Sequence, residues 1–347
     1  MINMNSDQLQ EPRSRAALRL ARRVVIKAGT SVVANADGSP SLRRLGAIVE
    51  QIAELNHAGV EVLFVSSGAV GMGRNLLRKQ ARLNMSFMDL HKTDGLPQAD
   101  EVSSRLTQSS SINDLLEVNE QMESSAAKSY AAAGQFELMN LYQSLFAPKN
   151  VTASQMLLTQ ADFQDESHLK TLSYAVERLL SLGCVPIINE NDAVSVTAND
   201  STAVFSDNDS LAALCARTFK AEVLLLLTDV DGVYNLPPSD PKARLIQYHH
   251  SNSDVAIGTK SSQGRGGMAA KIEAARMAVS PGSACAACIV AAGSDLDSVR
   301  SILGREYDPA FGPPKGTLFA TPGSDLEKEA MDEMIDWAED ESQMEEA

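Results

Sequence analysis

The sequence predicts an α/β domain built on a mainly parallel central sheet. Short apolar runs with the length of buried strands alternate with longer segments whose apolar residues recur at helical spacing. The first run, Arg23–Lys27, leads into a glycine turn, and the second, Val60–Val65, does the same after an intervening helical segment. This order of strand, loop, helix and strand is typical of a parallel sheet covered by helices.

The predicted elements continue along most of the chain. The first helix, 41–58, carries Leu45, Ile48 and Ile52 on one face and is ended by Gly59. The later predictions are helices over 126–146, 165–182 and 269–279, and strands near 151–158, 184–189, 223–229, 284–291 and, at the sheet edge, 316–320.

Three segments depart from this alternation. Residues 1–21 are polar and basic, and they predict a flexible extension. Residues 82–125 are rich in Ser, Gln, Asp and Asn, and they predict an inserted mobile segment with a short helix around 113–122. Residues 324–347 form an acidic tail with apolar residues at roughly helical spacing, which predicts a solvated helix or, alternatively, a docking helix. The main domain is therefore expected over 22–323.

Composition restricts the class of protein. The chain has 347 residues, 44% of them hydrophobic, which is enough for a large core. No apolar run approaches the roughly 20 residues of a membrane span, and four scattered cysteines make no disulfide framework. The net charge is −15, of which −10 lies beyond residue 324, and no basic stripe occurs. We expect a cytoplasmic protein without a membrane or nucleic-acid partner.

Polar residues mark one predicted edge of the sheet. Ser206–Ser210 places acids and an amide at the start of a helix, and the apolar run from Val223 ends in Thr228-Asp229. In parallel sheets ligands bind at the carboxyl ends of the strands. This stretch therefore predicts a binding edge.

Three glycine-rich turns suggest what binds there. They are Gly29-Thr30-Ser31, Ser67-Gly68-Ala69 and 264–268. Glycine lets backbone N–H groups approach an anion, and Lys27 and Lys271 accompany two of the turns, so the set favours a nucleotide. The sequence patterns of P-loop enzymes, dinucleotide dehydrogenases and protein kinases are absent, which argues against those classes.

Six motifs in order resemble the glutamate 5-kinase branch of the amino acid kinase family. They are 27–31 (Lys-Ala-Gly-Thr-Ser), 66–69 (Ser-Ser-Gly-Ala), 188–194 (Ile-Asn-Glu-Asn-Asp-Ala-Val), 206–209 (Ser-Asp-Asn-Asp), 227–229 (Leu-Thr-Asp) and 266–271 (Gly-Gly-Met, then Lys271). The resemblance implies a three-layer αβα sandwich with a mainly parallel central sheet. It also implies ATP-dependent phosphorylation of the L-glutamate side-chain carboxylate to L-glutamyl 5-phosphate, the first step of proline biosynthesis.

The resemblance carries roles to individual positions. Lys27 and Lys271 would contact the transferring phosphoryl group, and Asp209 would hold both lysines. The glutamate-binding positions would be Ser67, Gly68, Ala69, Asn189, Asp192 and Asn208. The nucleotide-binding positions would be Lys27, Gly29, Thr228, Asp229, Arg265, Gly266, Gly267, Met268 and Lys271. Mg²⁺ is expected on the ATP phosphates, with no metal ligand from the protein.

The chemistry agrees with these roles. A carboxylate is already a nucleophile, so transfer depends on positioning and charge neutralisation rather than on a base. Structural alternatives exist for several positions: Lys27 as a surface lysine, Asp207 and Asp209 as helix caps, and Thr228-Asp229 as turn residues. Cys285 and Cys288 are interpreted as strand packing rather than as a metal or redox pair.

Alternatives also exist for the activity. Another amino acid kinase, acting on aspartate, acetylglutamate or carbamate, is the nearest one, and a catalytically silent regulatory subunit is the other. A homo-oligomer is expected, with glutamyl phosphate reductase as a candidate protein partner.

The chain departs from the family pattern at several points. Arg265 stands where the family usually has threonine, and Ala203–Phe205 replaces a segment that often holds a lysine. An acidic tail follows the kinase region in place of an RNA-modification-type domain or a fused reductase, which predicts a stand-alone kinase.

Overall fold

A seven-stranded sheet forms the centre of the protein. The computed structural model describes residues 14–92, 120–194, 205, 207–250, 267–305 and 315–332, with side chains left aside at 85–92 and 120–125. The strands are β1 (Arg23–Ala28), β2 (Glu61–Ser66), β3 (Ala153–Leu158), β4 (Val185–Glu190), β5 (Val223–Thr228), β6 (Ala287–Ala292) and β7 (Thr317–Ala320). Their order is β3-β4-β2-β1-β5-β6-β7. All neighbours are parallel except β6 and β7, so the predicted, mainly parallel sheet and its edge strand are confirmed.

Helices cover both faces of the sheet. The α-helices are α1 (Thr30–Val33), α2 (Leu42–His57), α3 (Ala69–Lys92), α4 (Glu120–Phe146), α5 (Gln160–Gln164), α6 (Glu166–Ser181), α7 (Asn208–Thr218), α8 (Met268–Ala278), α9 (Ser298–Leu303) and α10 (325–332). Two short 3₁₀ helices, Ala16–Leu20 and Ala147–Lys149, complete them. No helix within these described ranges has the length and apolarity of a membrane span.

Two apolar clusters separate the helices into layers. One cluster joins one face of the sheet to α2, α3, α4 and α9, and the other joins the opposite face to α6, α7 and α8. Side chains alternate along β1 in the same way, because Val24 and Ile26 enter the first cluster and Val25 enters the second. The predicted three-layer αβα sandwich is confirmed.

The central strands end together. Ala28 pairs with Ser66 of β2 and with Leu227 of β5, so the loops that follow these strands emerge at one edge. By alternation Lys27 lies on the same side as Val25, facing the layer that contains α7 and α8.

The long helices α3 and α4 lie antiparallel in backbone contact. A Cβ atom on Gly73 would lie 1.8 Å from the carbonyl oxygen of Tyr130, and one on Gly134 would lie 1.8 Å from that of Ala69. Only glycine at both positions allows this approach. The predicted mobile insertion at 82–125 is helical at both ends, because α3 extends to Lys92 and α4 begins at Glu120. Residues 93–119 lie outside the described ranges.

Parts of both predicted tails pack on the domain. In the N-terminal segment Leu18 is buried, and Arg19 Nη2 donates to the carbonyl of Ser301 at 2.7 Å. In α10, Leu326 and Ala330 are buried, and Tyr248 donates to Glu327 at 2.9 Å. Residues 16–20 are therefore packed on the domain where the sequence predicts a flexible extension. The predicted tail helix is present at 325–332, with one side packed on the domain. Residues 1–13 and 333–347 lie outside the described ranges.

Candidate active site

A cavity of about 550 Å³ lies at the carboxyl edge of the central strands. It is lined by residues from the loops after β1, β2, β4 and β5 and from the starts of α3, α7 and α8. Eleven predicted site residues line it: Lys27, Gly29, Ser67, Gly68, Ala69, Asn189, Asp192, Asn208, Asp209, Asp229 and Lys271. The sheet edge predicted to bind ligands therefore brings most of the predicted site together.

Two lysines meet one carboxylate in this cavity. Lys27 Nζ lies 2.5 Å from Asp209 Oδ1, and Lys271 Nζ lies 3.1 Å from Asp209 Oδ2. Lys27 is 4% exposed, Lys271 7% and Asp209 2%. Three elements hold them, namely the end of β1 and the first turns of α7 and α8. The group carries one net positive charge, which suits an anionic ligand.

Burial and ion pairing shift the pKa values of Lys27 and Asp209 in opposite directions. Burial lowers the pKa of Lys27, Asp209 partly offsets this effect, and the charge of Lys271 adds to the lowering. For Asp209, burial alone would raise the pKa, but the two ammonium groups outweigh it and the pKa is lowered. Lys27 is therefore not a surface lysine, and Asp209 is a charged partner of the lysines rather than only a helix cap.

The Ser67-Gly68 turn connects β2 to α3. Ser67 N–H donates to the carbonyl of Ala28 at 3.2 Å, which ties the turn to β1. Gly68 has φ of +106°, and an added Cβ would lie 3.0 Å from Val33. This backbone conformation requires glycine, and the close approach of Val33 leaves little room for a larger residue. The turn therefore has a fixed backbone geometry immediately before the first residue of α3.

The Asn208 side chain links three elements. Its Nδ2 donates to Ser67 Oγ at 3.0 Å and to Asn189 Oδ1 at 2.9 Å. Its Oδ1 is buried and accepts no hydrogen bond from the described residues. A buried acceptor without a donor is costly, so this oxygen is suited to a ligand donor.

Asp207 caps α7. Its Oδ1 accepts from the backbone N–H groups of Asp209 at 3.0 Å and Ser210 at 2.8 Å. Ser210 Oγ in turn accepts from the N–H of Asp207 at 3.2 Å, completing a reciprocal cap. The capping alternative is correct for Asp207, and this cap orients the first turn that carries Asn208 and Asp209.

A second group of predicted residues lies on the β5 side of the cavity. Thr228 is buried and donates to Asp229 Oδ1 at 3.0 Å, and the exposed Asp229 lines the cavity. Gly267 is the N-cap residue of α8, which begins at Met268. Thr228, Gly267 and Met268 are not among the lining residues, and Arg265 and Gly266 lie outside the described ranges.

Several lining residues had no individual binding role predicted for them, even where a quoted sequence motif includes them. They are Thr30, Ser31, Val70, Gly71, Arg74, Asn75 and Arg78, the segment 34–38, Glu190 and Asp207. Arg74, Asn75 and Arg78 lie on α3 just after the Ser67-Gly68 turn. Their closeness to this turn in the sequence was the feature that could have indicated them as lining residues. Without the helix direction, however, the sequence does not indicate which of these side chains turn towards the sheet edge.

A buried pair of hydroxyl groups lies next to the Ser67-Gly68 turn. Ser66 Oγ and Tyr142 OH lie 2.6 Å apart, and both residues are fully buried. Phe64 packs edge-on against the Tyr142 ring. Burial raises the pKa of the Tyr142 phenol, so this group remains protonated. The pair joins α4 to the residue preceding the Ser67-Gly68 turn.

Sequence comparisons place the chain among named relatives. Residues 22–290 match the amino acid kinase family. Delta-1-pyrroline-5-carboxylate synthase of Mesembryanthemum crystallinum is 42% identical over 296 residues, which are 84% of this chain and 37% of that protein. Glutamate 5-kinase of Bacteroides thetaiotaomicron is 34% identical over 263 residues, 75% of this chain and 61% of that protein. The chain thus matches little more than a third of the synthase and about three fifths of the kinase.

A solved structure with the same architecture supports the fold. The T. acidophilum isopentenyl phosphate kinase product complex superposes with a TM-score of 0.52 at 16% identity, covering 86% of this chain and 99% of that one. At this identity the likeness concerns the fold alone. The family match spans most of the described sheet, including every element that contributes to the lysine–aspartate group. The chain belongs to the amino acid kinase family.

Proposed function

We propose that this chain is a glutamate 5-kinase, which transfers the γ-phosphoryl group of ATP to the side-chain carboxylate of L-glutamate. The observation that carries the proposal is the buried group in which Lys27 and Lys271 flank Asp209 at the sheet edge. Relatives named glutamate 5-kinase and delta-1-pyrroline-5-carboxylate synthase support the choice of acceptor.

The two sides of the cavity are proposed to bind different substrates. The glutamate is proposed to bind at the end of β2 and the start of α3, at the end of β4 and the loop after it, and at the start of α7. These segments contribute Ser67, Gly68, Ala69, Asn189, Asp192 and Asn208. The β5 side, with Thr228 and Asp229, is proposed to bind the nucleotide together with Gly29 and residues 265–268. Because β1 lies between β2 and β5, Lys27 at the end of β1 lies between the two proposed binding sides.

The proposed reaction is a direct displacement. An oxygen of the glutamate side-chain carboxylate attacks the γ-phosphorus, the bond to the bridging oxygen breaks, and ADP leaves with the electron pair. No proton has to be removed from the nucleophile. Lys27 and Lys271 are proposed to stabilise the charge on the transferring group, and Asp209 to hold their ammonium groups in place.

Mg²⁺ is proposed to bind through the nucleotide phosphates. Both oxygens of Asp209 face lysines and Asp207 caps α7, and the described residues contain no cluster of three or more His, Cys, Asp or Glu side chains suited to a metal. Bound there, the ion would neutralise phosphate charge. The protein groups in the cavity would orient the substrates around it.

The cellular setting is also part of the proposal. We place the protein in the cytoplasm, and the four free cysteines are consistent with a reducing compartment. A homo-oligomer and transfer of the labile acyl phosphate to a glutamyl phosphate reductase are proposed on the strength of the family.

An acceptor screen tests the activity. The protein is incubated with ATP, Mg²⁺, hydroxylamine and one acceptor at a time: L-glutamate, L-aspartate, N-acetyl-L-glutamate or carbamate. γ-Glutamyl hydroxamate is expected with L-glutamate. Turnover of another acceptor without turnover of glutamate would refute the substrate assignment, and no turnover of any acceptor would favour a silent subunit. Repeating the glutamate reaction with proline added would measure feedback inhibition.

A single variant tests the phosphoryl-transfer roles. Lys271→Ala is expected to lower kcat about a hundredfold or more, as is usual when one charge stabiliser is lost. A kcat within a few-fold of the wild-type value would show that Lys271 does not stabilise the transition state. The exposed Lys79 on α3 provides a control, because Lys79→Ala removes the same charge outside the cavity.

A further inference from the structure

The cations that line the cavity fall into two groups. Among the described residues they are Lys27 and Lys271, which share Asp209, and Arg74 and Arg78, which lie on α3. L-Glutamate carries two carboxylates. If the side-chain carboxylate lies at the lysines, as the proposed function requires, the α-carboxylate lies elsewhere in the cavity, where a second cation would neutralise it. Within the described part of the lining, the two arginines are the remaining cations.

The sheet order places these arginines on the acceptor side. Helix α3 starts directly after the turn that follows β2, and β2 is separated from β5 by β1. Asn208 joins Ser67 of this turn to Asn189 near the end of β4, so the acceptor side is one connected set of groups. Arg74 therefore lies on the proposed acceptor side of the cavity, separated from the β5 side by β1.

Arg74 is the better placed of the two. Its guanidinium carbon lies 5.6 Å from the centroid of the Tyr130 ring, which favours a stacked position. The backbone contact between α3 and α4 at Gly73 fixes Tyr130 beside it. Arg78 lies one turn further along α3, about 6 Å from Arg74 along the helix axis.

The guanidinium of Arg74 is also available. Among the described residues no carboxylate lies within ion-pair distance of it, and the side chain is exposed at the cavity wall. A planar guanidinium can donate two parallel hydrogen bonds to one carboxylate. Thus Arg74 offers an unused bidentate donor that is already positioned by an aromatic ring.

We propose that Arg74 binds the α-carboxylate of the acceptor amino acid and selects acceptors that carry this second carboxylate. The inference rests on the proposed function, because it takes the reacting carboxylate to lie at Lys27 and Lys271. Arg74 acts as a specificity-determining residue and has no role in stabilising the transferring phosphoryl group.

The test compares two acceptors that differ only at this carboxylate. L-Glutamate is compared with L-isoglutamine, its α-amide, in wild type, Arg74→Met and Arg74→Lys. Arg74→Met is expected to raise the KM for L-glutamate about ten- to a hundredfold, the range for losing hydrogen bonds to a charged group. The kcat and the KM for ATP should stay within a few-fold, and the preference for glutamate over isoglutamine should fall at least tenfold. The KM of Arg74→Lys for L-glutamate should lie between those of the wild type and Arg74→Met.

Arg82→Met is the matched control. It removes the same charge from α3 two turns further on, and Arg82 does not line the cavity. Its kinetic constants should equal those of the wild type, and circular dichroism should show all variants folded.

Three results would overturn the assignment. One is a KM for glutamate within threefold of wild type in Arg74→Met, which would assign the α-carboxylate to backbone N–H groups at the start of α3. Another is an equal loss for both acceptors, which would indicate a structural role, and the third is a loss in Arg78→Met alone. Wild-type protein that fails to phosphorylate glutamate would instead refute the proposed function.

Discussion

Lys27 Nζ and Asp209 Oδ1 lie 2.5 Å apart in the buried centre of the site. The contact joins the end of β1 to the first turn of α7, and Lys271 approaches the other carboxylate oxygen from α8. In a low-dielectric site each ion of such a group depends on its partner, since an unpaired buried ion is expensive. The arrangement therefore makes activity and stability depend on the same three side chains.

Asp209→Asn should lower both quantities. The amide keeps the shape of the side chain but leaves two buried ammonium groups without their anion. We expect kcat to fall about a hundredfold or more, and the free energy of unfolding to fall by about 3–5 kcal/mol. Steady-state kinetics and urea unfolding measure the two effects.

The control for this substitution is Asp165→Asn. Asp165 caps α6 at the surface, where its carboxylate accepts from the N–H of His168 at 2.9 Å. Asparagine caps helices about as well as aspartate, so both quantities should stay near the wild-type values. A wild-type rate for Asp209→Asn would show that the lysines do not need this carboxylate.

The stability contributed by Asp209 should disappear in acid. Its pKa is lowered in the folded protein, so the unfolded state binds the proton more tightly. The stabilisation is then fully present above the unfolded pKa of about 3.9 and is lost as the pH falls through the lowered, folded value. The difference in unfolding free energy between wild type and Asp209→Asn should be constant near neutral pH and shrink below about pH 4. A difference that grows on acidification would reverse the sign of this linkage.

Lys27 should set an alkaline limit on activity. Burial lowers its pKa, so its positive charge is lost at a lower pH than the roughly 10.4 of a free lysine. We expect kcat to decline on the alkaline side below that value, because the charge on the transferring group is then less well stabilised. In Lys27→Arg, whatever its absolute rate, the decline should move to higher pH, since guanidinium stays charged.

Lys149→Arg tests whether that shift is specific. Lys149 pairs with Glu50 at the surface. Its replacement should leave the pH profile of kcat unchanged. If Lys27→Arg and wild type lost activity at the same pH, the titrating group would be another one.

Gly73→Ala should disrupt the contact between α3 and α4. The new methyl group would overlap the carbonyl of Tyr130, at 1.8 Å, so the two helices would have to separate. Overpacking of this kind costs about 1–3 kcal/mol or more. The KM for glutamate should also rise, because α3 begins at the Ser67-Gly68 turn. Thermal unfolding and kinetics test both effects.

Gly46→Ala is the control, because it makes the same substitution at a glycine that is not crowded. Gly46 lies within α2, and an added Cβ has no heavy atom within 4 Å. Alanine there should stabilise the protein by up to about 1 kcal/mol through helix propensity. If the two variants behaved alike, close packing at Gly73 would not be the cause.

Tyr142→Phe should loosen the turn that binds the acceptor. It removes one of two partners of Ser66 Oγ, because the contact with the Ser67 carbonyl at 3.2 Å remains, and should cost about 0.5–1.5 kcal/mol in unfolding free energy. We expect a raised KM for glutamate and an unchanged KM for ATP, because the pair supports the β2 side only. Tyr174→Phe, at a position 67% exposed, should change neither quantity. Equal effects on both substrates would indicate a general loss of packing.

Much of the architecture could be predicted from local patterns. Short apolar runs such as Val60–Val65 and amphipathic helices such as 41–58 contain their own periodicity, and both are found within one or two residues. The buried tail residues Leu18 and Leu326 were not recognised, because a short segment shows no signal for the surface on which it packs. Helix α3 was also missed, since its glycines obscure the helical pattern.

The sequence by itself determined the α/β class and the sheet edge at which ligands would bind, since these depend on residue type, order and local spacing. The family resemblance of its motifs singled out the two lysines and the aspartate. Only the tertiary structure decided that Lys27, Asp209 and Lys271 are in contact, that Asp207 is a cap, and that Arg74 shares the cavity. These facts depend on strand order and on the backbone contact between α3 and α4. Both are set by packing between segments far apart in the chain, which local patterns do not encode.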